Sequence, residues 1–126
     1  MTDVRVLVVD DDPGVRSLVA KTLELEGLAP YSATNGAEAW AEVQARPPSF
    51  FSAIVLDLQM PVMDGAAFCR KLREAQIDVP VLLLAANGAA ARRRELQADD
   101  AMAKPFDPFV LAEHVKHLTG HSHSSL

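Results

Sequence analysis

Cysteine is nearly absent from this chain of 126 residues. With Cys69 alone, neither a disulfide framework nor a CxxC zinc or redox site is available, and a reducing compartment is compatible. No apolar stretch approaches the length of a membrane span, and the N-terminus lacks the basic start and long apolar core of a signal peptide. Basic residues are outnumbered: 12 Lys and Arg against 17 Asp and Glu leave a formal charge of −5. That deficit disfavours nucleic acid as a direct partner, because phosphate binding is driven by clustered Lys and Arg. The one basic cluster, Arg92-Arg93-Arg94, would point three ways on a helix and reads as solvated surface. These absences predict a soluble cytoplasmic protein with no membrane and no direct nucleic-acid partner.

What is present fits one domain. Hydrophobic residues make up 49%, enough for a core at this length, and 23% charged residues argue against disorder. We expect the domain to span residues 1–119. The small polar residues of 120–126 read as a flexible tail or linker stub.

Apolar runs of strand length alternate with amphipathic stretches of helix length five times, without an internal repeat, which predicts an α/β domain with a parallel sheet. The first helix is the clearest. Asp12 can cap it, Pro13 suits its first turn, Val15, Leu18, Val19 and Thr22 share a face, and Gly27 stops it. The second strand, near Leu28 to Ala33, holds Pro30, which cannot donate a ladder hydrogen bond and belongs at a sheet edge. Thr34-Asn35-Gly36 leads into a helix carrying Trp40 as core packing and ended by Arg46-Pro47-Pro48. Asp64 caps a helix with Phe68, Cys69 and Leu72 inward. Val79 to Leu84 is a buried strand. Residues 87–96 should be helical, with Gly88 and three alanines supplying little apolar anchorage. Asp107-Pro108 opens the last helix, with Leu111, Val115 and Leu118 at helical spacing. Right-handed crossovers and an outermost second strand give the flavodoxin-like, doubly wound (βα)5 order 2-1-3-4-5.

That order brings three strand ends together. The run Val4 to Val9, broken only by Arg5, ends in Asp10-Asp11-Asp12; Ala53-Ile54-Val55-Leu56 ends in Asp57; Ala101-Met102-Ala103 ends in Lys104-Pro105. Strands one and three flank the switch point where such folds bind ligands, so Asp10, Asp11 and Asp57 should share one crevice. Clustered carboxylates repel one another, and a divalent cation offsets that repulsion. Oxygen-only ligands favour Mg2+ or Mn2+ over zinc. Asp57 could then attack a phosphoryl donor to form an acyl phosphate, with Lys104 as a point charge on the transferred oxygens. Asp12 reads as a cap rather than a ligand.

The segments Val8-Val9-Asp10-Asp11-Asp12, Leu56 through Gly65 and Lys104-Pro105-Phe106 resemble the receiver domain of two-component response regulators, of the chemotaxis-regulator type. The resemblance covers nearly the whole chain. It implies that Asp57 is the phosphorylation site and that Asp11, Asp57 and the backbone carbonyl of Gln59 hold Mg2+ directly, with Asp10 reaching it through water. It implies that Lys104 contacts the phosphoryl group and that Pro105 is the family's cis-proline. Leu58, Ala85, Ala86 and Ala101 fall at its phosphoryl-contact and switch positions. The donor would be a histidine on a sensor kinase or phosphotransfer protein. The domain would signal to a downstream protein, catalysing only its own phosphorylation and dephosphorylation. No output domain is read in the chain, so if it is complete it should act through a protein partner.

The chain also departs from that pattern. Ala85 stands where the family usually has Thr or Ser, Ala101 where it has Tyr or Phe, and Gln97 where it has Gly. A hydrogen bond to a charged group is worth about 1.5–3 kcal/mol, comparable to a typical allosteric coupling of about 1–3 kcal/mol. Phosphorylation chemistry is therefore expected to survive with its coupling to the usual output face weakened or rerouted. Two readings stand open: a loss of signal, or a small-residue pair that packs well while another element, such as the helix after Gly88, carries the response. Gln59 and Asn87 occupy the positions that influence phosphate lifetime; both are uncharged amides.

Among competing readings, an aspartate phosphotransferase of the haloacid-dehalogenase type needs a general acid two residues after its nucleophile, and Gln59 cannot serve. A flavodoxin-like cofactor binder needs a phosphate-cradling loop where this chain has three acids. The rival that remains is a receiver-like interaction module that works without phosphorylation. His114, His117, His121 and His123 read as surface and tail rather than a metal cluster, since a spacing of three without a carboxylate ligand placed beside it is weak evidence for a metal.

Overall fold

The computed structural model describes residues 3–60 and 63–120. In chain order the elements are β1 (Arg5–Val9), α1 (Pro13–Leu25), β2 (Ala29–Ala33), α2 (Gly36–Gln44), β3 (Ala53–Asp57), α3 (Gly65–Glu74), β4 (Val81–Ala85), α4 (Ala89–Leu96), β5 (Asp100–Ala103) and α5 (Pro108–Thr119). The strands are parallel in the order β2-β1-β3-β4-β5, as the alternation and Pro30 predict.

Period-two alternation sorts the strand residues into two cores. Leu7, Val9, Ile54, Leu56, Val81, Leu83 and Ala85 face α2, α3 and α4, where Phe68, Cys69 and Leu72 are fully buried. Val6, Val8, Val55, Leu82 and Leu84 face α1 and α5, meeting Val19, Leu23, Leu111 and Val115. Both faces of the sheet are thus covered, which is why its strands read as continuous apolar runs. Trp40 is half-buried against the first of these cores, with the Lys71 ammonium 5.6 Å from its ring centroid.

The helix starts follow their capping residues. Asp12 accepts from the N–H groups of Gly14 and Val15, Asn35 from Glu38, Asp64 from Ala67, and Asp107 from Phe109 and Val110. Glu38 also reaches back to the Thr34 N–H at 2.8 Å, closing a reciprocal cap.

Several expectations need correction. Leu18 is 50% exposed, not part of the buried face of α1. The stripe in contact with the sheet and α5 runs through Val15, Val19, Thr22 and Leu23, which turns Leu18 toward solvent. The fourth strand begins at Val81 rather than Val79, and α4 begins at Ala89, because Gly88 adopts a left-handed conformation (φ +62°) and precedes the helix without a side-chain cap. The tail expected over 120–126 lies outside the described residues beyond Gly120, which ends α5 at φ +75°. Among the described residues no helix is long and apolar enough to cross a membrane.

Candidate functional site

Register builds the site. Val9 pairs with Leu56, so one further residue on each strand sets Asp10 beside Asp57 at the carboxyl end of the sheet. Alternation sends both side chains to the same side as Val8 and Val55. Asp11 follows at the start of the turn into α1 and is exposed, whereas Asp10 and Asp57 are 1% and 4% exposed. One carboxylate oxygen from each of the three lies within 4.8 Å of the others.

Lys104 enters from the far strand. Ala103 pairs with Ala85, and the Lys104 N–H continues the ladder to the Ala85 carbonyl at 2.9 Å. From there its ammonium crosses the end of β4 and donates to Asp10 Oδ2 at 3.1 Å, standing 3.2 Å from Asp57 Oδ1. The Lys104–Pro105 peptide bond is cis. Asp10 is further fixed by the Asp12 N–H on its Oδ1 (3.0 Å) and by the Arg16 guanidinium on its carbonyl (2.8 Å). The Gln59 N–H reaches Asp57 Oδ1 at 3.4 Å.

The electrostatics follow from burial. Desolvation pushes the Asp57 carboxyl above its ordinary range, the negative charge of Asp10 adds to this, and attraction to Lys104 only partly opposes it. For Lys104, burial alone would lower the ammonium; the hydrogen bond to Asp10 and the charges of Asp57 and Asp10 more than offset it and leave it raised. The two partners move in the same direction. A simple ion pair would depress the carboxylate, so burial, with the Asp10 charge added to it, outweighs Lys104 at Asp57. Carboxylates outnumber the ammonium three to one and offer only hard oxygen donors, a set suited to Mg2+ or Mn2+ and poorly suited to zinc.

The remaining candidate positions surround Asp57. Leu58 is buried, its N–H on the Leu84 carbonyl at 3.1 Å. Ala85 is buried and Ala101 half-buried, and both pack in the core on the α3 and α4 side. Ala86, Asn87 and Gln59 are exposed. A cavity of about 310 Å³ opens beside them, lined by Leu58, Gln59, Asp64, Ala85, Ala86, Asn87 and Arg92. Arg92 was missed in the sequence, where the arginine triplet reads as uniform surface. The available signal was its place in the first turn of a helix that starts next to the acidic crevice. Pro61 and Val62, part of the motif after Asp57, lie outside the described residues. A larger cleft of about 510 Å³ lies at the opposite, amino end of the strands, between Arg73, Asp78 and Asp99. It is remote from the carboxylates, and Arg73 fills part of it by bonding the carbonyls of Ile77, Val79 and Gln97.

His114 departs from expectation: its Nδ1 lies 2.5 Å from Asp100 Oδ2, so a carboxylate is at hand after all. Among the described residues these side chains do not form a group of three potential metal ligands. His121 and His123 lie outside the described residues.

Comparison with known proteins identifies the family. The family model for the response regulator receiver domain matches residues 6–116. The chain is 42% identical over 116 residues to the transcriptional regulatory protein PrrA of Mycobacterium tuberculosis, covering 90% of this chain and 47% of that protein. It is 39% identical over 106 residues to the response regulator MprA of Mycobacterium bovis, covering 82% and 45%. It therefore spans about half the length of these curated relatives. Among solved structures it superposes on the receiver domain of the Francisella response regulator 1452 with a TM-score of 0.85 at 28% identity, covering 95% and 99% of the two chains. The chemotaxis response regulator CheY4 of Vibrio cholerae gives a TM-score of 0.82 at 30% identity, covering 93% and 99%. Sequence match, strand order and paired strand-end acids agree, and the chain belongs to the response regulator receiver domain family.

Proposed function

We propose that this domain accepts a phosphoryl group on Asp57 from a phosphohistidine of a sensor kinase or phosphotransfer protein. The observation that carries the reading is the Lys104 ammonium placed between Asp10 and Asp57 at the mouth of a three-carboxylate cluster. A carboxylate oxygen of Asp57 attacks phosphorus as the phosphorus–nitrogen bond breaks; the electron pair leaves with the imidazole, which departs neutral when its other nitrogen carries a proton. Lys104 keeps its proton throughout and meets the transferred oxygens. Asp10, Asp11, Asp57 and the Gln59 carbonyl would hold Mg2+ or Mn2+, which supplies charge neutralisation for the transfer. Because the Asp57 carboxyl is raised, its attack weakens as pH falls through a value above the ordinary carboxylate range.

Names such as transcriptional regulatory protein belong to the relatives, and output through DNA by a longer chain is a proposal of the same standing. The exclusion of nucleic acid drawn from the net charge then concerns this domain alone. We place the domain in the cytoplasm, beside its phosphate donor.

One observation favours a second reading. Ala85 and Ala101 offer neither hydroxyl nor ring on adjacent strands, as a phosphorylation-independent binding module would permit. Amide NMR spectra with Mg2+, before and after adding beryllofluoride, separate the two. The expected result is a set of shifts starting at Asp57 and absent in Asp57→Asn. A wild-type spectrum that does not respond would overturn the phosphoacceptor reading and leave the binding module.

A further inference from the structure

The switch hydroxyl that receivers carry at the end of β4 is missing here, and the wall of the cavity beside Leu58 and Gln59, the residues that follow Asp57, is correspondingly bare: Ala85 and Ala86 present methyl groups and Leu58 an apolar chain. Across that cavity, on the first turn of α4, stands Arg92, the one cationic side chain among the described residues of its lining. We propose that Arg92 is the group that reads the phosphoryl charge in this protein, exchanging its present partner Glu95 for the phosphoryl oxygens and drawing the start of α4 toward the pocket. This rests on the phosphoacceptor reading of Asp57.

Three observations support it. First, Arg92 is lightly held. Its guanidinium donates to Glu95 at 2.8 Å in a pair one turn apart, with the two side chains 36% and 52% exposed, and such pairs are weak and screened. Phosphorylation adds about 1.5 to 2 negative charges and three strong acceptor oxygens, which a planar guanidinium engages with two parallel hydrogen bonds. A dianion in a partly enclosed cavity outcompetes one solvated carboxylate.

Second, α4 is fastened at the wrong end to resist. Leu96 is its only buried residue, the Cys69 thiol donates to the Leu96 carbonyl at 3.4 Å, and Arg93 Nε bonds the Asp99 carbonyl. All three anchors hold the carboxyl half. The amino end follows a left-handed Gly88 and has no side-chain cap. Its amino end meets the core only through the methyl group of Ala89, and Ala90 and Ala91 add no larger side chain. Rotation about the Leu96 end therefore moves the pocket end most.

Third, the remaining charged group in the cavity, Asp64, is already committed to the Ala67 N–H as the cap of α3. Arg92 is paired with Glu95 and not with Asp64. A protein lacking Thr and Tyr at the usual positions would thus still couple Asp57 to α4, through a long cationic side chain.

The test uses the full chain with Mg2+ and beryllofluoride, comparing wild type, Arg92→Gln, Arg92→Lys and Glu95→Gln. Arg92→Gln should weaken beryllofluoride binding about five- to tenfold and abolish the amide shifts of residues 89–96, leaving those at Asp57. Arg92→Lys should recover part of the affinity but less of the α4 response. Glu95→Gln, which frees Arg92, should tighten binding about two- to threefold. Because Arg92 lies on an exposed helix, unchanged spectra of the free variants will show that folding is intact. Equal affinity and equal α4 shifts in Arg92→Gln and wild type would overturn the proposal while leaving Asp57 as acceptor. A wild type that ignores beryllofluoride, like Asp57→Asn, would overturn both.

Discussion

Among the described residues three helices close with the same pair of reversed hydrogen bonds, yet only one of the three uses glycine. After α1, Leu28 bonds back to Leu23 and Gly27 to Glu24; after α3, Ile77 to Leu72 and Gln76 to Arg73; after α4, Ala98 to Arg93 and Gln97 to Arg94. The residue at the turn is left-handed in each case, with φ of +83° at Gly27, +59° at Gln76 and +57° at Gln97. A side chain there meets the clash that glycine avoids, about 1 kcal/mol. Replacing Gln97 by Gly should therefore stabilise the domain by about 0.5–1 kcal/mol net of glycine's greater chain entropy, raising Tm by about 2–5 °C. Thermal denaturation checks this, and Gln97→Ala must show no such gain. In the sequence, Gln97 in place of the family's glycine puts the end of α4 in doubt. The turn forms regardless because buried Leu96 and Ala98 pin the chain on both sides, so packing overrides the preference of the residue between them.

At the scale of elements, the site depends on how closely α3 approaches the end of β3. A Cβ added at Gly65 would come within 2.3 Å of the Asp57 carbonyl oxygen and 2.8 Å of the Leu58 Cα, both backbone atoms that cannot turn aside. Gly65→Ala should cost at least about 2 kcal/mol in urea unfolding and displace Asp57, seen as lost response to beryllofluoride. Gly14→Ala, whose Cβ meets only the Asp12 Oδ1 side-chain atom at 3.2 Å, is the matched control. Stability unchanged by Gly65→Ala would mean that α3 can withdraw without harm. Strand ends were legible because each apolar run stops abruptly at Asp10, Asp57 or Lys104, and the strand order because Pro30 fits only an edge. The start of α4 was not: alanines and arginines give no amphipathic stripe, and Gly88 can be read as part of a helix or as its boundary. Nor was Leu18, since periodicity names a stripe but not how much of it the neighbouring α5 covers.

For the whole molecule, the acidic crevice works against folding, because a single ammonium, Lys104, stands among three carboxylates. Asp57 holds its proton more tightly in the folded chain than in the unfolded one. Its contribution to stability is therefore present below the ordinary carboxylate range, about pH 4, and is lost as pH rises through its higher folded value. In chelator at neutral pH, Asp57→Asn should melt above wild type, and the difference should vanish toward pH 4. Mg2+ should then raise wild type by about 2.7 kcal/mol at a hundredfold excess over its Kd, and Asp57→Asn by less. Thermal melts across pH and Mg2+ measure both, and a variant no more stable at neutral pH would show that Lys104 outweighs burial and the Asp10 charge. The lone thiol gives such experiments an internal clock. Cys69 is fully buried beneath the end of α4, and burial pushes its thiol pKa up, disfavouring the thiolate. A thiol reagent in solvent meets it only when the packing of α3 against α4 opens, so the labelling rate of the unmodified protein counts those openings, with no probe to be introduced.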